Sequence, residues 1–336
     1  GVRLSRHKLI DECHAKLESA RLINITGAPG SGKTVILKRL VEATSRQSRV
    51  IVLRSGRIVG GGWLSFSHAL GTSSSSTDFL SALAATGGAV LFIDNIDQIE
   101  DARERETISD LLTVSANVSG WRIVVTTSAE GEDWKAILPH TLRSSMADVQ
   151  LPQLSDEEAE LLSEQNSALA QLLQPNHPAK RIVRNPFYLV RLLGTRTSDA
   201  DKISSEVALA RLWWSYGGGR DRDSSRISRL IAIRKLGTDF LANPYRLTSK
   251  IDTLDPATAS QLIKFGVLQE EVLGRDVAFR HDVLRDWTVG MIIAVDHGLL
   301  TRMNKESPPP AVLMRGLELA ARIELDGDSS GKRWIA

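Results

Sequence analysis

The residues best suited to chemistry lie in one stretch, Gly27-Ala28-Pro29-Gly30-Ser31-Gly32-Lys33-Thr34. This stretch fits the phosphate-binding loop pattern G-x-x-x-x-G-K-[ST] at every fixed position. Its glycines, Gly27, Gly30 and Gly32, allow the backbone to bend until its N–H groups face an anion. Lys33 is expected to reach the β- and γ-phosphates of a nucleotide, and the Thr34 hydroxyl is expected to bind Mg²⁺.

The segments on either side of this loop favour the same interpretation. Residues 22–26 are short and apolar and end in turn residues, as a buried strand does. After the loop, apolar residues recur at helical spacing from Val35 to Val41. A helix that begins at the loop adds partial positive charge where phosphates would lie. We therefore predict that residues 27–34 and Val35 bind a nucleotide; the alternative is a plain glycine turn between strand and helix.

The strongest strand pattern of the chain ends in Asp94. An acid at the carboxyl end of a buried strand, facing the phosphate loop, holds Mg²⁺ together with the loop threonine or through water. The next residue, Asn95, is a poor base, so Asp97 is the candidate that orients or deprotonates the attacking water. Lys33, Asp94 and Asp97 are the candidate catalytic residues, with Thr34 and Asp94 as metal ligands. Asp97 followed by Glu100 also fits a helix-capping pair, and this alternative stays open.

The order of strand and helix patterns predicts an α/β fold with further modules behind it. Strands alternate with helices over residues 1–151, which predicts a P-loop NTPase parallel sheet with helices on both faces. Residues 152–199 contain short helical segments and predict a small helical lid. Residues 200–300 show helices and a hairpin in the order of a winged-helix domain. Residues 301–336 begin a further helical region, and we expect the natural protein to extend beyond it.

Composition excludes several classes of function. Hydrophobic residues make up 42% of the chain and charged residues 24%, with a net charge of +2, so no overall field favours nucleic acid or a membrane surface. The single cysteine, Cys13, offers neither an internal disulfide nor zinc spacing, which favours a reducing compartment and predicts a cytoplasmic protein. No apolar run has the length needed to cross a bilayer, and no secretory signal is evident.

The set of motifs resembles the STAND class of signalling ATPases. Asp94-Asn95-Ile96-Asp97-Gln98 is similar to the extended Walker B motif Asp-Gly-Leu-Asp-Glu of the NACHT branch, with Asn95 in place of Gly and Gln98 in place of Glu. The resemblance covers about residues 10–297. It implies a P-loop core, a helical lid and a winged helix, with ATP or ADP and Mg²⁺ as cofactors. It also implies slow Mg²⁺-dependent ATP hydrolysis that serves a switch in self-association.

Three further positions take their roles from this resemblance. The end of the predicted fourth strand resembles the family's sensor strand, which implies that Thr127 approaches the γ-phosphate. Arg184-Asn185-Pro186 resembles the lid motif Gly-x-Pro, which implies that Pro186 packs on the adenine or ribose. Arg280-His281-Asp282 resembles the Met-His-Asp motif of the related NB-ARC branch, which implies that His281 contacts the ADP β-phosphate. Each residue also has a structural alternative. Thr127 would then end a buried strand, Pro186 would be the first residue of a helix, and His281 would be a structural residue at a helix start.

The leading hypothesis is therefore an ADP-closed switch that self-associates when ATP replaces ADP. An unidentified ligand or protein, sensed by a C-terminal region, would activate it, and family analogy suggests a role in bacterial defence. The rival hypothesis is a DNA-binding AAA+ ATPase whose winged helix binds duplex DNA. The near-neutral charge and the lack of a clear basic recognition helix argue against it. A constitutive ATPase or P-loop kinase is the third hypothesis, and no acceptor-substrate site is evident for a kinase.

Three remaining features give structural expectations only. Trp213, Trp214 and Trp287 lie on helical apolar faces and are predicted to occupy core positions. The charged residues from Arg220 to Arg229 predict a solvated loop and helix start. Residues 55–77, rich in glycine and serine, predict a loop that holds a short element.

Overall fold

A computed structural model describes residues 6–55, 58–128, 133–165, 167–174, 176–194, 199, 202–220, 222–296, 298 and 308–327. The chain divides into two compact units between Pro152 and Gln153, one residue beyond the predicted boundary. The other predicted boundaries, at 199/200 and 300/301, adjoin or lie within residues outside the described part. The subdivision of the second unit and the separate region 301–336 therefore stay predictions.

The first unit is a parallel sheet with helices packed on it, as the alternating pattern predicts. Its helices are α1 (His7–Ser19), α2 (Lys33–Thr44), α3 (Gly62–Ala69), α4 (Ser76–Ala84), α5 (Ala102–Asn117) and α6 (His140–Ser144). Its strands are β1 (Leu22–Thr26), β2 (Arg49–Arg54), β3 (Ala89–Asp94), β4 (Trp121–Thr127) and β5 (Met146–Gln150). Short 3₁₀ turns over Ile96–Gln98 and Asp133–Ile137 follow β3 and β4.

The sheet has the order β2-β3-β4-β1-β5, and every pairing is parallel. Side chains alternate between its two faces, and each face has its own core. Ile23 and Ile25 of β1 belong to a cluster with Leu37 of α2. Leu91 of β3 belongs to a second cluster with Leu111 of α5. Because both faces are buried, the strands read as continuous apolar runs, which is why the sequence shows them clearly.

Residues 55–77 contain more regular structure than the sequence predicts. α3 lies in this segment, and its first amides are bonded by α5: Gly62 N donates to Thr107 Oγ1 at 3.1 Å and Trp63 N to Asp110 Oδ2 at 2.8 Å. Ser75 caps α4 by accepting from Asp78 N at 3.1 Å. The groups that cap α3 are distant in sequence, so local patterns could not show them.

The second unit is helical with a small antiparallel sheet. Its helices are α7 (Asp156–Gln165), α8 (Ser167–Leu172), α9 (Lys180–Val183), α10 (Pro186–Leu193), α11 (Glu206–Ser215), α12 (Arg226–Ala242), α13 (Pro256–Lys264), α14 (Asp282–Val295) and α15 (Ala311–Gly327). Its strands β6 (Ser249–Lys250), β7 (Leu268–Val272) and β8 (Asp276–Phe279) have the order β6-β8-β7. A capping box opens α7, since Ser155 N donates to Glu158 and Glu158 N donates to Ser155.

α14 forms the centre of this unit. Trp287 is 0% exposed and Trp213 is 5% exposed, so the prediction that they are core residues is confirmed, whereas Trp214 is only partly buried. Glu206 accepts from Trp287 Nε1 at 3.0 Å and from Arg315 Nη2 at 2.6 Å, which ties α11, α14 and α15 together. Burial opposes ionisation of Glu206, but the charge of Arg315 and the hydrogen bonds from Tyr188, Trp287 and Arg315 together outweigh it and hold the pKa of this carboxyl below its usual range. Along the described stretches, no helix combines the length and apolar character needed to cross a membrane.

The prediction that Arg229 is solvated is wrong. Its side chain is fully buried and donates to the carbonyl oxygens of Tyr216 at 3.0 Å and Gly217 at 3.1 Å. Its Nη1 also pairs with Asp223 at 2.9 Å. The turn that follows α11 closes over the guanidinium so tightly that a Cβ at Gly219 would lie 2.6 Å from Nη2. Charge alternation along the chain could not show that this turn folds back onto α12.

Candidate functional site

The phosphate loop joins the end of β1 to the start of α2, as predicted. Gly32 occupies the position before α2 with φ of 100°, a left-handed conformation that glycine adopts without steric cost. Lys33 is buried, and its Nζ donates to Gly27 O at 2.8 Å, so the ammonium group lies against the loop itself. Thr34 and Val35 are exposed in the first turn of α2. Backbone N–H groups, a helix N-terminus and a lysine therefore converge here, which is an arrangement suited to phosphate.

An arginine that sequence reasoning missed supports this loop. Arg6, which precedes α1, donates to Ser31 O at 3.4 Å and to Pro152 O at 3.2 Å. It therefore links the loop to the chain segment after β5. No motif marks Arg6, because its contacts are with backbone carbonyls that any residue supplies.

Asp94 lies beside the loop at the end of β3, and it is almost fully buried. Thr34 Oγ1 donates to its Oδ2 at 3.0 Å, and Thr126 Oγ1 donates to its Oδ1 at 2.7 Å. The sheet order explains this arrangement, because β4 lies between β3 and β1 and brings Thr126 to the carboxylate. The structure thus brings the loop threonine and Asp94 together, and it adds Thr126 as a positioning hydroxyl.

Asp97 is held by the residue that follows β4. Its Oδ2 accepts from Ser128 N at 2.9 Å and from the Ser128 hydroxyl. Its Oδ1 is buried and has no hydrogen-bond partner in the described part of the chain. A carboxylate with one oxygen fixed and the other available is suited to orient a water molecule. Catalysis by Asp97 nevertheless stays a prediction.

The three hydroxyl residues at the end of β4 divide between two directions. Thr126 contacts Asp94, and Ser128 contacts Asp97. In contrast, Thr127 is 1% exposed, and its Oγ1 donates to Asn24 Oδ1 at 2.9 Å. The period of two along a strand accounts for this division. The approach of Thr127 to a γ-phosphate stays a prediction, but the residues that contact the acids are its two neighbours. Strand alternation is the sequence signal that could have identified them.

Asn95 turns the chain between the two acids in a left-handed conformation, with φ of 53° and ψ of 52°. Among residues with a side chain, asparagine tolerates this region best, and the resembling NACHT pattern has glycine here. We expect Asn95→Gly to keep the free energy of unfolding nearly unchanged and Asn95→Ala to lower it by about 1 kcal/mol. Urea unfolding of both variants measures the difference.

Asn117→Ala is the matched control, because Asn117 is exposed and ends α5 in helical conformation. It should change stability by less than about 0.5 kcal/mol. Equal destabilisation by Asn95→Gly and Asn95→Ala would show that the left-handed backbone does not select Asn95.

Pro186 and His281 belong to the second unit. Pro186 is the first residue of α10, and the preceding Asn185 caps that helix by accepting from Phe187 N at 3.0 Å. His281 directly precedes α14, and its ring meets Phe187 edge-on at 5.1 Å. These contacts give both residues a structural role: Pro186 begins a helix and His281 packs against an aromatic ring. Their predicted roles toward a nucleotide stay predictions.

The residues at the loop fit a magnesium ion that binds together with a nucleotide. The Thr34 hydroxyl and the Asp94 carboxylate are hard oxygen ligands of the kind Mg²⁺ prefers. Among the residues that the structure describes, no group of three or more His, Cys, Asp or Glu could hold a metal ion. Mg²⁺ commonly takes one or two carboxylates and completes its coordination with water and phosphate oxygens.

Comparison with known proteins supports the class that the fold and the site define. Residues 23–152 match the family model described as "ATPase family associated with various cellular activities (AAA)". The match includes the phosphate loop, Asp94, Asp97 and Ser128. With the parallel sheet and the loop geometry, it shows that this part of the chain has the P-loop fold and is similar to AAA-type ATPase domains. No curated protein matches the chain.

Two solved structures align with most of the chain. The STAND protein with a tetratricopeptide repeat sensor from Pyrococcus horikoshii aligns with a TM-score of 0.50 and 14% identity, over 96% of this chain and 48% of that chain. A Walker-type ATPase of Pyrococcus abyssi aligns with a TM-score of 0.45 and 15% identity, over 85% of this chain and 96% of that chain. The first likeness concerns the fold alone, and this chain spans about half the length of that protein.

Proposed function

We propose that this chain is the nucleotide-controlled core of a STAND-type signal-transduction ATPase. The observation that carries the proposal is the junction of the phosphate loop with Asp94, where the Thr34 hydroxyl lies 3.0 Å from the carboxylate. The second unit follows it with helices and a hairpin, in the order expected of a lid and a winged helix. The alignment of nearly the whole chain with a STAND protein supports this choice among P-loop ATPases.

Each residue of the site has a defined task in this proposal. Lys33 neutralises phosphate charge at the N-terminus of α2, while Thr34 and Asp94 hold Mg²⁺. When bound, Mg²⁺ supplies positive charge that stabilises the charge developing on the phosphates. Asp97 orients the attacking water with its unpartnered oxygen, while Ser128 fixes the other. The residue directly after Asp94 is Asn95 and not an acid, which suits slow hydrolysis that serves a switch.

Nucleotide exchange is the proposed signal. ADP would hold a closed monomer through Pro186 and His281, and ATP would favour an open state that self-associates in the cytoplasm. Such a switch works only if ADP and ATP differ in their affinity for the two states. A C-terminal sensor would bias that equilibrium on binding its ligand or partner, and bacterial defence is the context implied by the STAND resemblance.

The test is to denature the purified protein gently and measure ADP and ATP per chain by ion exchange, alongside the mass of the native particle. We expect close to one ADP per chain in a monomer. His281→Ala should reduce retained ADP and increase self-association with ATP. His68→Ala is the control, because His68 is an exposed histidine of α3.

Two results would contradict the switch. One is protein purified without nucleotide that hydrolyses ATP rapidly as a monomer. The other is salt-dependent affinity for duplex DNA that requires the second unit, which would favour the DNA-binding AAA+ alternative.

A further inference from the structure

A cavity of about 280 Å³ lies within the second unit, and His281, which the proposed switch assigns to ADP, is one of its lining residues. It is bounded by α10, α11, the turn after α11, the end of α13 and the start of α14. The residues that matter for its chemistry are three arginines and three aromatic side chains: Arg191, Arg220, Arg280, Phe187, Trp213 and Phe265.

Arg191 is fixed in the wall of this cavity. Its Nη2 donates to Gly266 O at 2.9 Å and its Nη1 to Phe265 O at 3.4 Å. The guanidinium also lies over the ring of Phe187, with 5.3 Å between Cζ and the ring centroid. A planar cation held in this way is pre-organised, so little side-chain entropy is lost when it binds an anion.

The positive charge of this wall is concentrated. Burial, and then the neighbouring charges of Arg280 and Arg220, lower the pKa of Arg191 to about 10. It still carries its charge at neutral pH, so three cations face one cavity. No acidic residue is among the described residues that line it, and within the described chain neither Arg220 nor Arg280 forms an ion pair. An anion would relieve this repulsion.

The lining also contains aromatic side chains, one of which has a further hydrogen-bond donor. Trp213 and Phe187 are buried residues of the wall. The Trp213 Nε1–H is buried and has no hydrogen-bond partner among the described residues. A buried donor left unpaired costs free energy, so its presence beside a cavity is typical of a ligand site.

We propose that this cavity binds a small organic phosphate. Its phosphate group would lie among Arg191, Arg220 and Arg280, because guanidinium groups bind phosphate oxygens in pairs. Its flat apolar part would pack against Phe187 and Trp213. The volume suits a compact ligand and excludes a polymer. The residues of this site lie in the second unit and the phosphate loop lies in the first, and the proposal adds a ligand to that of the switch.

The first experiment removes the phosphate loop as a competitor. Phenyl phosphate and inorganic phosphate are titrated by calorimetry into the full chain and into its Lys33→Ala variant. We expect phenyl phosphate to bind both proteins with affinities within about twofold, and inorganic phosphate to bind about tenfold more weakly because it lacks the aromatic contact. Loss of phenyl phosphate binding in Lys33→Ala would place the anion at the loop and overturn the proposal.

The second experiment removes the exposed cations of the cavity. The double variant Arg220→Gln with Arg280→Gln should weaken phenyl phosphate binding at least about tenfold. Arg234→Gln is the matched control, since Arg234 is an exposed arginine on α12 away from the cavity wall, and it should leave affinity unchanged. Circular dichroism verifies that each variant is folded. Equal affinity in the double variant and the control would overturn the proposal, because phenyl phosphate binding would then not depend on the arginines of the cavity.

Discussion

Replacing Asp94 by asparagine is expected to abolish the Mg²⁺ dependence of ATP binding and to lower ATP hydrolysis by about 100-fold or more. Asparagine keeps the shape of the side chain and one acceptor oxygen but removes the negative charge that attracts the ion. The wild-type carboxylate is buried and accepts from Thr34 and Thr126. Calorimetry of ATP binding with and without Mg²⁺ measures the first effect even if turnover is slow.

Asp148→Asn provides the matched control, because it makes the same chemical change in the same sheet. Asp148 is an exposed residue of β5 whose Oδ1 accepts from Asn24 at 2.9 Å. It should leave both the Mg²⁺ dependence and the hydrolysis rate unchanged. If Asp94→Asn retained tighter ATP binding in Mg²⁺ than in its absence, the assignment of Asp94 as the metal ligand would be wrong.

Thr126→Val tests the positioning role that the structure adds. Valine preserves the volume and the β-branched shape but removes the hydroxyl between Asp94 and Asn95 N. We expect an intermediate loss, of about tenfold in hydrolysis, because the carboxylate remains but is less well oriented. An effect as large as that of Asp94→Asn would imply that Thr126 contacts the reacting groups directly.

The sequence predicts the first unit well for a physical reason. A strand buried on both faces must be apolar throughout, so β1, β3 and β4 are visible as short apolar runs. The phosphate loop is equally visible, because glycine conformation, lysine charge and the threonine hydroxyl are all fixed by the same local chemistry. Asp94 could be predicted because it terminates such a strand.

The contacts that complete the site depend on information that a local pattern lacks. The partners of Asp94 and Asp97 come from β4, and the sheet order decides that β4 lies beside β3. Family resemblance pointed to Thr127, but strand alternation directs its hydroxyl toward Asn24. The capping of α3 by side chains of α5 escaped prediction for the same reason, since the partners are remote in the chain.

Arg229 shows that a pattern of charges along the chain also fails to reveal contacts made in the tertiary structure. Its neighbours in sequence are polar or charged, so an exposed helix start was the natural expectation. Three glycines, at positions 217–219, lie between α11 and this segment. Their lack of a side chain lets the backbone approach the guanidinium, a role that only the tertiary structure shows.

Arg229→Met is accordingly expected to lower the free energy of unfolding of the second unit by about 3 kcal/mol. Methionine fills much of the volume but leaves the carbonyls of Tyr216 and Gly217 buried without their donor. Arg229→Lys should lose less, about 1–2 kcal/mol, because an ammonium keeps the charge but cannot reach all acceptors of the planar fork. Urea unfolding gives the total loss of stability, and hydrogen exchange of α12 amides assigns the loss to this unit.

Arg234→Met, at an exposed position of the same helix, should change stability by less than about 0.5 kcal/mol. If the two methionine variants unfolded at the same urea concentration, the buried guanidinium would contribute no net stability, and the glycine turn would hold its conformation without it.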